Sequence, residues 1–286
     1  MATRATLAAV LLALAPASAA RAETPLSAID WLSQSVAAPA VPVVPDEPGV
    51  SAPGLATDVT TSVLGAPSPD AAGVLPSALT GLPRDFWGLG RTDEIAELIA
   101  VERGDALPAL NGLLLTILLA EVAAPADSDG RGRLLLARVD RLLAMGALDQ
   151  AGALLDAAGV GEPERFRRAF DVALLTGTED RACAQMVASP ALAPTFPARV
   201  FCLARSGDWN AAALTLRTGV ALGYIPATDE ALLSRFLDPD LYEGEGTLTP
   251  PDPVTPLAWR MLEAIGETLP TAKLPLAFSH AELRDT

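Results

Sequence analysis

The sequence predicts an all-α protein, a right-handed superhelix of stacked helical hairpins preceded by a disordered, proline-rich tether. Three observations carry that reading. From about residue 84, runs rich in Leu and Ala follow one another with Gly or Pro in nearly every gap. Apart from Thr57–Leu64, no run shows the alternation of a strand. Gly146, Gly177 and Gly207 recur 31 and 30 residues apart, each after an apolar helical run. Composition agrees with small-residue helix packing: half of the 286 residues are apolar but only 5% are aromatic, so Ala, Leu and Val must build the core.

Taken in order, residues 1–22 read as a secretory signal. Arg4 supplies the positive start, Leu7–Leu14 a short apolar stretch, and Ala17-Ser18-Ala19 or Ala20-Arg21-Ala22 the small-residue exit. The stretch is too short to cross a bilayer as a helix, and so is Leu113–Ala120. The expected destination is the periplasm, and the chain is not expected to span a membrane. Residues 23–83 hold ten prolines, six acidic residues and no Lys or Arg. Such composition favours extended backbone and cannot pack a core. Within this tether Leu26, Ile29, Leu32 and Val36 recur at helical spacing with Trp31 beside them. Two readings stand: the turn folds back on the protein's own body, or it docks in a partner's groove. Thr57–Leu64 is rich in β-branched residues and suits strand addition to a partner's sheet.

Residues 84–247 are expected to form the helical-repeat domain, and 248–286, with Trp259 and Pro270, a C-terminal helical cap. Asp93–Val101 opens on acidic residues, as a helix N-terminus prefers. The next helices are expected at Leu110–Ala123, Arg133–Met145, Leu148–Ala158, Glu164–Leu175, Asp180–Val187 and Pro197–Arg205. Asn210–Ala221, Asp229–Phe236 and Pro256–Ile265 follow, with a last one near Ala272–Leu283. Five positions after the recurring glycines stand Ala151, Ala182 and Ala212, and nine after them Leu155, Met186 and Leu216. Gly104, Ala109 and Leu113 form a weaker copy. In a hairpin, the glycine ends the first helix in the left-handed conformation and the alanine lets the second approach. The larger side chain then fills the groove between neighbouring hairpins.

Leu142-Leu143-Ala144-Met145-Gly146 followed by Ala151 and Leu154-Leu155 resembles the tetratricopeptide-like repeats. Cys202-Leu203-Ala204-Arg205-Ser206-Gly207-Asp208-Trp209 followed by Ala212 is similar. The resemblance covers roughly residues 93–222, has a shorter period than the family's roughly 34 residues, and implies an α-solenoid with an extended concave surface. The exported, alanine-rich chain is also similar to uncharacterised bacterial proteins labelled antifreeze-glycopeptide-related. That label reflects alanine content, because the Ala-Ala-Thr periodicity of such a surface is missing.

Cys183 and Cys202 lie about equally far from the middle of Ser189–Pro197, so two antiparallel helices joined there would set them side by side. In an oxidising compartment this favours a disulfide, the alternative being two small buried thiols. One His, one Lys (Lys273) and two Cys exclude zinc sites built from several His and Cys. A formal charge of −15, from 20 Lys+Arg against 35 Asp+Glu, argues against nucleic acid. There is no G-x-x-x-x-G-K-[ST], H-E-x-x-H or G-x-S-x-G motif, and His280 reads as a surface or cap residue. Asp127-Ser128-Asp129-Gly130 fails as a calcium loop, since Pro125 and Leu136 fall where ligands belong. Asp238, Asp240, Glu243 and Glu245 form an acidic loop, either a weak calcium site or solvated. The basic run Glu164–Arg168 with Arg181 either pairs with acidic helices or seats an acidic peptide.

The function these features favour is a non-catalytic periplasmic adaptor without cofactor or metal, binding protein partners in a cell-envelope complex for wall remodelling or motility. One alternative is an accessory module that binds peptidoglycan or another glycan beside an enzyme. A second is a wall hydrolase or lyase with an unrecognised carboxylate site.

Overall fold

A computed structural model describes residues 68–101 and 107–279. The signal at 1–22, the docking residues Leu26, Ile29, Trp31, Leu32 and Val36, the stretch Thr57–Leu64, Gly104 and His280 lie outside the described residues. Within them the protein is all-helical; the sole β pairing is one isolated parallel bridge between Leu75 and Ala120.

The helices are α1 (Ser77–Thr80), α2 (Thr92–Val101), α3 (Pro108–Leu119), α4 (Arg133–Ala144), α5 (Leu148–Ala158) and α6 (Pro163–Thr176). After them come α7 (Glu179–Ala188), α8 (Phe196–Arg205), α9 (Trp209–Ala221), α10 (Ala227–Leu237) and α11 (Pro256–Ala264). Their starts have local chemical causes. Pro opens α3, α6 and α11 at a position where its missing N–H is no loss. Side chains of Glu162, Thr195, Asp208 and Thr255 accept from the first free amides of α6, α8, α9 and α11.

Gly146, Gly177 and Gly207 end α4, α6 and α8 with φ of +71°, +70° and +86°. The following amide of each, on Ala147, Thr178 and Asp208, donates back to Leu142, Ala173 and Leu203. This closure satisfies carbonyls that the helix end would otherwise leave free. The chain then turns straight into α5, α7 and α9, giving three successive hairpins. Ala151 and Ala212 are fully buried and Ala182 half-buried, while Leu155, Met186 and Leu216 are all buried. The weaker copy does not behave this way: Ala109 and Leu113 are exposed, because little packs over the first half of α3.

Each helix from α4 to α10 packs on the next, and α4 also touches α6, as α8 touches α10. The apolar interior falls into two main clusters with α6 between them. Phe166, Phe170 and Leu174, four residues apart on one face, point into the cluster with Phe201 and Leu233. Val172 belongs to the other, with Leu118, Leu134, Val139, Leu142 and Leu154. The segment after residue 248 returns to the middle of the row: α11 packs on α6 and α10, and Trp259 and Phe278 join Leu148 and Leu175 in a third cluster.

The N-terminal boundary differs from the compositional reading. Residues 68–82, assigned above to the tether, are part of the folded body. Asp70 is fully buried; its Oδ1 accepts from the Leu135 amide at 2.9 Å and its Oδ2 from the Ser128 hydroxyl at 2.7 Å. It thereby caps α4, whose own N-cap residue is Gly132, without a side chain. Arg138, also fully buried, donates Nε to Leu118 O at 2.8 Å, Nη2 to Ala120 O at 2.9 Å and Nη1 to Ala72 O at 2.7 Å. A longer bond of 3.4 Å reaches Asp70 O. Burial lowers the Arg138 pKa to about 10, with the Asp70 charge opposing, so the guanidinium stays charged at neutral pH. The same contacts pull Ala120 into extended backbone, which stops α3 at Leu119 rather than at the expected Ala123.

Candidate functional site

The cysteine pair bridges one of the hairpin junctions. Cys183 on α7 and Cys202 on α8 are both buried, with sulfurs 1.98 Å apart and Cα atoms 4.9 Å apart, the spacing of a disulfide.

Three of the arginines in the basic patch are engaged at home. Arg168 forks onto Asp140 at 2.6 and 2.7 Å and onto Glu164 at 2.9 Å, Arg167 reaches Glu164 and Asp171, and Arg165 donates to Gly159 O at 2.7 Å. In the acidic loop Glu245 pairs with Arg235 at 3.1 Å. No cluster of three metal-ligating side chains forms among the described residues. Asp127, of the failed calcium loop, instead holds the start of α2: the Thr92 amide and hydroxyl donate to its Oδ1 at 2.9 and 2.6 Å. The Thr92 hydroxyl and amide bonds keep its carboxyl below the usual range.

Two places remain with unspent interaction capacity. The first is apolar. Leu98 and Val101 on α2, Leu107 just before α3, and Leu110 and Leu113 on α3 are each more than half exposed. The α3 sequence PALNGLLLTILL is almost wholly apolar, yet only its last two residues, Leu118 and Leu119, are buried. On α2 the neighbouring exposed residues Glu94 and Glu97 are acidic.

The second is a polar pocket of about 260 Å³ between α7, α8, α10 and α11, lined by Glu179, Phe201, Arg205, Phe236, Arg260 and Glu263. Glu179, the first residue of α7, is only 1% exposed. Its Oε1 accepts from Arg260 Nε at 3.2 Å and lies 3.5 Å from Arg205 Nη2, while its Oε2 has no hydrogen-bond partner. Arg205 also grips Asp180 at 2.6 Å, and Arg260 grips Glu263 at 2.6 Å. Burial works against the Arg260 cation, but the Glu263 hydrogen bond and the Glu179 charge outweigh it and raise its pKa. Phe201 and Phe236 stack with centroids 5.3 Å apart. Apart from these two, an apolar hollow of about 300 Å³ lies where Ala227, Ala231 and Leu232 face Leu248, Pro251 and Leu262.

Sequence reasoning missed both Glu179 and Arg138. Glu179 sits where acidic residues suit any helix start, so its position gave no signal. Arg138 did carry one, standing on the apolar stripe of Leu134, Leu135 and Leu142.

No protein-family model matches the chain, and comparison with curated proteins and with solved structures returns no match.

Proposed function

We propose that the chain is a non-catalytic helical-repeat adaptor of the periplasm, a tetratricopeptide-like α-solenoid that binds protein partners in a cell-envelope complex. The observation that carries this reading is the exposure, among the described residues, of Leu98 and Val101 on α2 and of Leu107, Leu110 and Leu113 at and after the start of α3. Fully burying a leucine that stands in water gains about 1.5–3 kcal/mol, so half-exposed leucines close in sequence retain part of that gain for a partner. Three glycine-closed hairpins in succession, with alternate helices touching, support the solenoid part of the proposal. A cysteine pair at disulfide distance supports an oxidising compartment. In this reading Leu26, Ile29, Trp31, Leu32 and Val36 provide a second contact with the partner.

The test is photo-crosslinking in the source cell from residues 98, 110 and 113, with residue 214 on α9 as an exposed control. The proposal expects the same discrete protein adduct from the first three positions and none from the control. No adduct, or equal yield from all four, defeats it. Fractionation of the same cells checks export, because a chain retained with its first 22 residues in the cytoplasm contradicts the compartment.

A further inference from the structure

We infer that the pocket built on Glu179 binds a small zwitterion, a free α-amino acid with an apolar side chain, independently of any partner on α2 and α3. The argument starts from what the pocket lacks. A carboxylate as deeply buried as Glu179 is normally satisfied on both oxygens, because an unpaired charged acceptor away from water is strongly disfavoured. Here Oε1 serves Arg260 and lies near Arg205, while Oε2 faces no donor. A charged N–H donor matches it best, since hydrogen bonds between two ionised groups are stronger than those from a neutral amide.

The same wall calls for an anion. Arg205 uses Nε and Nη2 on its acidic neighbours, and Arg260 uses Nε and Nη1. Among the described residues, Arg205 Nη1 and Arg260 Nη2 make no hydrogen bond. Asp180 is largely solvated, at 78% exposed, so the wall sets the carboxylates of Glu179 and Glu263 against two guanidinium groups that each keep an unused N–H group. A lone amine would leave Arg205 Nη1 and Arg260 Nη2 without an acceptor, and a lone carboxylate would leave Glu179 Oε2 without a donor. An ammonium and a carboxylate on one carbon answer both needs at once. The stacked pair Phe201 and Phe236 offers apolar surface for a side chain, and about 260 Å³ is small-molecule space.

Gly177 belongs to the same arrangement. A Cβ at this residue would stand 3.4 Å from Arg260 Nη2, and its φ of +70° is a conformation that suits glycine. That spacing is an ordinary van der Waals contact, so it is the backbone angle that calls for glycine beside the arginine that would hold the ligand carboxylate.

L-leucine is the probe, titrated into the full mature chain up to about 10 mM, a range that captures millimolar affinity. The readout is two-dimensional NMR of the arginine Nε–H signals with parallel calorimetry. The expected result is saturable movement of the Arg205 and Arg260 signals, with Arg165 and Arg168 unmoved. N-acetyl-L-leucine lacks the ammonium and mimics a peptide C-terminus; L-leucinamide lacks the carboxylate. Both are expected to bind at least about tenfold more weakly, roughly the factor set by one lost charge-assisted bond. Equal binding of N-acetyl-L-leucine overturns the ammonium claim in favour of a peptide terminus. Absence of saturable shifts with L-leucine overturns the site altogether. Glu179→Gln keeps shape and removes charge, and is expected to cost leucine affinity tenfold or more. Unchanged affinity in a folded Glu179→Gln protein likewise refutes the assignment.

Discussion

Replacing Arg138 with methionine removes one charged side chain and its bonds to four backbone carbonyls in two segments of the chain. The lost bonds are those to Leu118 O, Ala72 O and Ala120 O at 2.7 to 2.9 Å, plus the longer one to Asp70 O. Bonds from a charged donor contribute about 1.5–3 kcal/mol each in isolation, but methionine fills much of the volume and some carbonyls will find water. Asp70, fully buried, also loses its nearby positive charge. Breaking such a buried ionic arrangement from one side costs about 3–5 kcal/mol, a large share of the roughly 5–15 kcal/mol that holds a domain. At about 2–4 °C per kcal/mol for a body of this size, the melting temperature should fall by about 6–20 °C. The loss should be regional. The amides of Val74, Leu75 and Glu121, which bridge the N-terminal segment and the end of α3, should lose hydrogen-exchange protection first. Protection in α8 and α9 should persist under mild conditions. Arg138→Lys should not rescue, because an ammonium cannot fork across carbonyls in one plane. A destabilisation below about 1 kcal/mol, or exchange that rises evenly along the chain, refutes this account.

Gly73→Ala should produce the same regional exchange pattern, since a Cβ there overlaps the backbone of Ala120 and Glu121, which cannot move aside as a side chain can. Normal protection in residues 118–122 of that variant would disprove the close approach. Burial pushes the Asp171 carboxyl up to about 6, with Arg167 and Arg168 opposing and Asp140 adding. Its folded pKa exceeds the unfolded value, so the native state binds the extra proton and stability falls as pH rises from about 4 to about 6, by at most about 3 kcal/mol. Asp171→Asn should flatten that slope in urea titrations, and parallel curves for the two proteins would reject it. Reducing the Cys183–Cys202 pair should cost about 3 kcal/mol, read as a lower melting temperature with reductant; a melt indifferent to reductant would contradict the bridge.

The parts of the fold that were legible are those whose cause is local. Gly146, Gly177 and Gly207 announce their helix ends because glycine is the residue that tolerates φ near +70°, and the turns that follow need only the next amide. The helix that carries Phe166, Phe170 and Leu174 was likewise expected, at Glu164–Leu175, and is found at Pro163–Thr176. What escaped depends on residues remote in the chain. The α4 start has glycine where a capping side chain belongs, and its cap arrives from Asp70. Composition placed Asp70 in the tether because residues 23–83 are rich in proline and acidic residues and hold no Lys or Arg, and no local pattern tells a solvated segment from one pinned by a buried arginine. The pocket was hidden for the same reason, since Glu179 and Arg260 are 81 residues apart and meet only because α11 returns to α6.

The Arg138 arrangement also bears on why the α2–α3 face stands uncovered. In α4 to α9, a helix is held by burying the groove-filling residue on the next hairpin, so Leu155, Met186 and Leu216 have no freedom to face water. The C-terminal end of α3 is fixed by the burial of Leu118 and Leu119 together with the polar bonds at Leu118 and Ala120, and α2 by the burial of Ala96 and Ile99 together with Asp127. Leu110 and Leu113, in the first half of α3, are each about half in water and so contribute little to anchoring it among the described residues. This separates two outcomes in one variant. Leu110→Ser with Leu113→Ser should leave the urea midpoint within about 0.5 kcal/mol per site of the parent, as exposed substitutions do, while abolishing the crosslinked adduct expected of an adaptor. A large loss of monomer stability would mean that these side chains pack internally. An adduct that survives the double substitution would place the partner on another face.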